Sequence, residues 1–259
     1  MTKFLKNSLK QALREYGNIL DWNIVVFDRV QSTSSTLLAM LSEEKNENIV
    51  VISDVQTAGR GRSGRFWYSE NGDNLYISAS FRVTGNLSQI FPMVPLAAGI
   101  SAAEVLQGSG CIDLLLKWPN DLLLYGKKVG GILCETPGLK GDSAIAVVGM
   151  GLNINNNRFP DELAGIATEL TAANAFKASK EMIAAGWLVK LYQRIQNLID
   201  GNSAGIVQDW KKYGEPFGRK VRAGGETGIT YDMAPSGRLL IKTDSGKIVD
   251  IPGGIVESL

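Results

Sequence analysis

Residues Val51–Ser80 read VISDVQTAGRGRSGRFWYSENGDNLYISAS. The stretch opens and closes with apolar runs of strand composition. Between them, Gly59-Arg60-Gly61-Arg62-Ser63-Gly64-Arg65 carries three glycines and three arginines, with no apolar anchor before Phe66-Trp67. A loop of that make-up buries too little surface to order itself and is expected to be mobile when empty. Its glycines permit close backbone approach, and its guanidiniums match phosphate or carboxylate oxygens in bidentate pairs. A flexible basic surface loop and a patch for RNA are the competing readings of the same seven residues.

Composition narrows the field. The chain has 259 residues, 44% of them apolar, which suits one large domain plus a small one with a substantial core. Its 27 basic and 26 acidic residues leave a net charge of +1, so no global field draws it to nucleic acid or anionic membrane; an anion site must be locally focused. There is no histidine, which removes Ser-His-Asp and Cys-His nucleophile systems and histidine-ligated metals together. Cys111 and Cys134 are too few for a disulfide scaffold or a zinc site and are expected to be buried free thiols. No apolar run approaches the ~18 residues of a membrane span, and the amino terminus lacks the apolar core of a secretory signal. A cytoplasmic protein is expected, with no membrane partner, no nucleic acid and no metal site fixed by the protein.

Outward from the arginine loop, Leu5, Leu9, Ala12, Leu13 and Tyr16 share one face of a helix predicted over 3–16 and ending near Gly17. Asn23–Asp28 is predicted as a strand, and Ser32-Thr33-Ser34-Ser35 offers an N-cap for a helix over Thr36–Glu44. Those hydroxyls serve capping and ligand binding equally well. Asn74–Val83 alternates as a strand, and 89–107 is apolar on nearly every side, the mark of a helix in the centre of the domain. Three strand-like runs follow (Asp113–Lys117, Val129–Glu135, Ala144–Leu152), then a polar, loop-like Asn153–Gly165. Lys180–Asp200 is the longest helical pattern, with a shorter helix around Ile206–Lys212. Beyond Glu215, short β runs (Lys220–Ala223, Gly228–Ala234, Leu239–Thr243, Lys247–Ile251) alternate with Gly and Ser turns, as in a small antiparallel barrel. The expected division is 1–213 and 214–259, at Tyr213-Gly214-Glu215-Pro216. The whole is an α+β chain: a mixed-sheet catalytic domain with helices packed on it, plus a small C-terminal β-barrel.

Two further stretches carry chemistry. In Lys117-Trp118-Pro119-Asn120-Asp121 a lysine closes a strand and Trp-Pro turns the chain, placing Asn120 and Asp121 at a fixed corner. A hairpin return brings Lys128 back beside it. Two ammoniums near three guanidiniums are mutually repulsive, since unit charges ~4 Å apart interact by about 4 kcal/mol at an effective dielectric of 20. A polyphosphate is the natural guest of such a cluster. In Val147-Val148-Gly149-Met150-Gly151-Leu152-Asn153, glycines at alternate strand positions leave one face bare, which suits a flat ring or a tight bend. Trp67, next to the arginine loop, suits a ligand contact or a core position, and Trp118 is expected to pack.

Taken in order, Gly-Arg-Gly-Arg-x-Gly-Arg-x-Trp, Lys-Trp-Pro-Asn-Asp, Lys-x-x-Gly-Ile-Leu-x-Glu and Gly-x-Gly-x-Asn resemble biotin protein ligase, from about Val26 to Leu170. The resemblance implies the class II synthetase-like biotin–lipoate ligase fold and a two-step reaction: biotin and Mg-ATP give biotinyl-AMP and pyrophosphate, and a lysine of a biotin carboxyl carrier protein then takes the biotinyl group. It implies that Ser32, Thr33 and Gln56 hold the ureido ring. Arg60, Gly131, Gly149 and Gly151 would line the biotin pocket, while Arg60, Arg62 and Lys128 meet carboxylate and α-phosphate. Lys117 would support the phosphates, and Arg65, Trp67, Asn120 and Asn153 would take the adenylate. Arg62, Lys128, Lys117 and Asp121 are the implied catalytic set, with Asp121 orienting or receiving the acceptor proton or serving as structure. A homodimer is plausible by the same resemblance. Two positions depart from the pattern: Ser34 stands where Asn or Asp often follows Ser-Thr, and the acidic residue after Gly253-Gly254 is displaced. About twenty residues precede the first strand, too few for a winged helix-turn-helix, so a ligase without operator binding is expected. Lipoate or octanoate transfer on a related fold and a non-catalytic biotin sensor are the rivals.

Overall fold

The structure is a computed structural model that describes residues 3–17, 20–43, 48–69, 73–155 and 159–259. Glu44 of the expected second helix and 156–158 of the expected loop lie outside the described residues. In chain order the larger part contains α1 (Lys6–Glu15), β1 (Asn23–Val30), α2 (Thr33–Glu43), β2 (Ile49–Gln56), β3 (Asp73–Thr84), α3 (Leu87–Ile90), α4 (Val94–Gly108), β4 (Leu114–Lys117), β5 (Asp121–Leu124), β6 (Lys127–Glu135), β7 (Leu139–Lys140), β8 (Ser143–Asn155), α5 (Asp161–Ala164), α6 (Lys180–Ile199) and α7 (Ala204–Tyr213).

The strands form one mixed sheet in the order β1-β2-β3-β8-β6-β5-β4, with β7 paired to β8. Only β1 and β2 run parallel, and α2 is their crossover. Every residue of β2 is buried, which explains why Ile49–Gln56 shows no polar alternation until Ser53-Asp54. β3 and β8 pair from Asp73↔Asn155 to Thr84↔Ser143 and form the spine of the sheet. The helices α1, α4 and α6 pack together behind it around one continuous core. Trp187 of α6 is fully buried and its Nε1 donates to the Ala98 carbonyl of α4 at 3.1 Å. The helical stretch Leu87–Gly108 is 22 residues long and contains an 18-residue window of mean hydropathy 1.4, as long and apolar as a membrane span. The expectation that nothing in the chain approaches that length is therefore corrected. The stretch is apolar because it is the core helix, with 72% of its most apolar window buried inside the fold.

Two local differences from the sequence pattern bear on function. α2 begins at Thr33, not Thr36, because Ser32 O already accepts the Thr36 N–H at 2.9 Å. The hydroxyl cluster is thus the first helical turn, facing the sheet. β5 was not anticipated as a strand: Asp121-Leu122-Leu123-Leu124 is short, continuous and directly follows a turn. It returns to β6 through Tyr125 (φ 53°) and Gly126 (φ 74°), consecutive left-handed residues that close a tight hairpin.

The C-terminal part is a five-stranded antiparallel sheet, order β12-β11-β10-β9-β13, from β9 (Lys220–Ala223), β10 (Glu226–Met233), β11 (Leu239–Thr243), β12 (Ile248–Ile251) and β13 (Val256–Ser258). Trp118, 9% exposed, packs as expected and fastens the two parts: its Nε1 donates to Gly237 O at 2.9 Å.

Candidate active site

One cavity of about 210 Å³ gathers most of the candidate residues. Its floor is neutral. Thr33, at the start of α2, donates its N–H to Gln56 Oε1 at 2.8 Å, and its Oγ1 lies 3.2 Å from the same atom. Ser78 of β3 bridges Thr33 Oγ1 at 2.8 Å and Ser34 Oγ at 3.0 Å. Gln56 Nε2 donates to Ser69 Oγ at 3.2 Å. Each of these residues is buried, so the unsatisfied-group penalty of about 1–3 kcal/mol explains why they bond to one another. Ser34, where the sequence departs from the family pattern, joins this network and lines the cavity. Ser78 and Ser69 are additions that the motifs did not supply. The only signal for Ser78 is a hydroxyl inside an otherwise apolar strand.

The rim is cationic. Among the described residues, Arg60, Arg62, Arg65, Lys117 and Lys128 line the cavity with a single carboxylate, Asp121, an excess of four positive charges at one place in a nearly neutral chain. Lys128 Nζ is 2.6 Å from Asp121 Oδ1 and 5.4 Å from the centre of the Trp67 ring. Asp121 sits in register between Lys117 on β4 and Gly131 on β6, so the β4–β5–β6 meander carries both lysines and their counter-ion. Arg62 Nη1 donates to Asn120 Oδ1 at 2.8 Å, and Arg60 is ion-paired with Glu135. Burial holds the Lys117 ammonium below the usual lysine range; Asp121 opposes this, and Arg219 and Lys128 reinforce it. The arginine loop takes a defined shape from its own backbone: Gly61 N–H to Arg65 O at 2.7 Å and Trp67 N–H to Gly59 O at 2.8 Å.

The bare glycine face is not open. A Cβ on Gly151 would stand 2.7 Å from Trp67 Cε2, and one on Gly131 would stand 3.3 Å from Cζ3. The flat ring that the glycines admit is the chain's own indole, and a side chain at 151 would expel it. The Trp67 Nε1–H is buried against Gly151 without an acceptor among the described residues. Gly149 instead makes room for Ser34 and Ser78. Asn153 is the one candidate that the cavity does not include. The segment 166–168 pairs alongside Lys128 and takes its side chain, Nδ2 donating to Thr168 O at 3.1 Å. The C-terminal sheet adds a wall that the motifs did not announce, Gly254-Ile255-Val256. Cys111 is fully buried and Cys134 packs partly against the core; both are free thiols with titration pushed up by burial.

The sequence model of the biotin/lipoate A/B protein ligase family matches residues 26–153. The bifunctional ligase/repressor of Bacillus subtilis is 30% identical over 234 residues, 88% of this chain and 72% of that protein. The biotin–[acetyl-CoA-carboxylase] ligase of Mycobacterium tuberculosis is also 30% identical, over 87% of this chain and 85% of its own length. Among solved structures, the biotin protein ligase of Aquifex aeolicus in complex with biotin and ATP superposes with a TM-score of 0.77 at 27% identity, covering 92% of this chain and 99% of that one.

Proposed function

Because the chain belongs to the biotin protein ligases of the biotin/lipoate A/B protein ligase family, we infer that it activates biotin with ATP and transfers it to a protein lysine. The observation that carries the inference to this chain is the cavity itself, a neutral hydrogen-bonding floor beneath five cations.

Biotin's ureido ring is neutral and both donates and accepts, which suits the hydroxyls and carboxamide of Ser32, Thr33 and Gln56. Its carboxylate is ionised at pH 7, as a group titrating near 4.3 must be, so the first step needs no general base. It needs two anions brought together. Arg60, Arg62 and Lys128 supply that by neutralising carboxylate and α-phosphate, with Lys117 on the remaining phosphates. A carboxylate oxygen bonds to the α-phosphorus, pyrophosphate leaves, and biotinyl-AMP remains. ATP enters as its Mg²⁺ complex, with the metal belonging to the substrate. In the second step the amine of the acceptor lysine attacks the biotinyl carbonyl and AMP departs with the bonding pair. The amine sheds a proton on the way, since it is protonated below about 10.4. Asp121 orients Lys128 through the 2.6 Å ion pair. Closure of the arginine loop over the intermediate excludes water. The acceptor is a biotin carboxyl carrier protein, in keeping with the carboxylase named for the Mycobacterium relative. In this proposal residues 1–213 are the catalytic part and 214–259 the accessory barrel.

Purified protein mixed with Mg-ATP and biotin should release pyrophosphate in proportion to biotin, and not with lipoate or octanoate in its place. Binding of biotin without pyrophosphate release would make the chain a sensor; release with lipoate would make it an acyl-chain ligase.

A further inference from the structure

Glu135, at the end of β6, is the counter-ion of Arg60, and the pair spans a partition between two cavities. Arg60 lines the reaction cavity, whereas Glu135 lines a second cavity of about 290 Å³. Arg62, Trp118, Pro119 and Ile132 face both. A carboxylate can accept about four hydrogen bonds. Glu135 takes Arg60 on Oε1, while Oε2 is buried with no donor among the described residues. That shortfall is costly for a charged group out of water, and it leaves the carboxylate open to a further cation.

The second cavity is lined to suit one. Phe91, Pro92, Pro95, Pro119, Ile132 and Pro252 give it apolar walls, four of them prolines whose backbone is preset. Glu135 is its one carboxylate among the described residues. Of its two arginines, Arg238 is paired with Asp250 at 3.3 Å and Arg62 is turned to Asn120. An apolar recess that holds a carboxylate matches an aliphatic stem tipped with an ammonium, which is a lysine side chain. The rim of the reaction cavity matches it badly, because cations there outnumber carboxylates by four among the described residues.

We propose that Glu135 exchanges counter-ions during the reaction: it holds Arg60 before the substrates bind, and receives the ammonium of the acceptor lysine in the second cavity once Arg60 has turned to the reactant anions. The proposal rests on the ligase reading and adds the side from which the acceptor comes. The pair of Arg60 and Glu135 is partly exposed, so giving up one partner for another costs little. Arg60 meets anions only when biotin and ATP are in place, so the carboxylate is vacated at the stage when an acceptor becomes useful. Glu135 places the amine; the bonds made and broken are those of the transfer already described.

Single-turnover transfer tests the exchange. Protein incubated with biotin, Mg-ATP and pyrophosphatase, then freed of unbound nucleotide, carries biotinyl-AMP. It is mixed with either Nα-acetyl-lysine methylamide, whose side chain is an ammonium, or hydroxylamine, which is uncharged at neutral pH. Glu135→Gln should lower the ratio of the lysine rate to the hydroxylamine rate by about tenfold, the effect of losing one hydrogen bond between charged groups. It should also lower the KM for ATP, because Arg60 no longer has a counter-ion to leave. Glu135→Asp should recover part of the ratio, and Glu135→Ala gives the same reading if the glutamine variant does not fold. An unchanged ratio overturns the proposal. Equal slowing with both amines, or a raised KM for ATP, would mean that Glu135 serves only to place Arg60 and would overturn it as well. A wild-type protein that releases no pyrophosphate with biotin removes the ligase reading and this proposal together, whereas release with an unchanged ratio removes this proposal alone.

Discussion

The floor and the rim of the cavity are built on opposite principles. On the floor, Thr33, Ser34, Gln56, Ser69 and Ser78 are all at most 5% exposed, carry no charge and satisfy one another. On the rim, the Arg60 and Lys128 side chains are 40% and 36% exposed and lean on single counter-ions, Glu135 and Asp121. A buried neutral network keeps one geometry because breaking any bond leaves an orphan in low dielectric. A half-exposed ion pair exchanges partners at little net change, because solvent screens both arrangements. The floor is therefore suited to shape and selectivity, and the rim to charge that changes hands during reaction.

That contrast can be broken in order of effect. Lys128→Ala should lower biotin-dependent pyrophosphate release by about 10²–10³, the loss typical of a removed donor to developing negative charge, with little change in Tm. Wild-type release would reassign the lysine, and a large drop in Tm would show that the rim is structural after all. Arg62→Gly should slow adenylate formation without abolishing it, since Arg60 and Lys128 remain, and speed the escape of biotinyl-AMP about tenfold or more, seen as labelling of unrelated lysines; undiminished retention of the intermediate would argue against loop closure. Thr33→Val should behave the other way round, lowering stability by about 1 kcal/mol through the hydroxyl's lost hydrogen bonds to Gln56 and Ser78 and raising the KM for biotin with kcat unchanged. A Tm within a degree of wild type would mean that the floor is not interlocked.

The smallest effect concerns Lys117. Its folded titration lies below the ordinary 10.5, chiefly through burial. Between the folded and unfolded values the unfolded chain binds more protons, so this residue makes stability rise with pH over that window and lowers it below. Lys117→Met should flatten the Tm profile just below the ordinary lysine pKa of 10.5 relative to wild type. An unchanged slope would place the ammonium in solvent.

Much of this was legible because the motifs constrain both backbone and charge. Arg60 and Arg62 lie more than fifty residues before Lys117 and Lys128 in the chain, yet each is next to Gly, Trp-Pro or a hairpin that can deliver it to one corner. Helix α6 followed from its helical pattern and α4 from being apolar on nearly every side, since burial dictates the composition of both. What stayed hidden depends on tertiary partners. The four residues of β5 carry no alternation, and only the flanking β4 and β6 make them a strand. Ser78 is an ordinary strand hydroxyl until Thr33 and Ser34 stand over it. Asn153 shares the alternation of Gly149 and Gly151 but is claimed by Thr168, a contact no spacing rule contains. Likewise, the glycine face announced a flat ring without saying whose.

The chain just before α1 also has a role. The N–H of Phe4 donates to Asp54 Oδ1 at 3.2 Å, and the N–H of Leu5 donates to Glu181 Oε1 at 2.9 Å. Asp54 also receives Lys180 at 3.4 Å, and Lys180 reaches Asp73 at 2.8 Å, so the amino-terminal backbone completes a buried set of charges joining β2, β3 and α6. Trimming the chain to Lys6 would leave Asp54 and Glu181 each short of a donor, two residues from Gln56 in the first case. Anyone shortening or tagging this protein should treat Phe4 and Leu5 as part of the scaffold under the vitamin site.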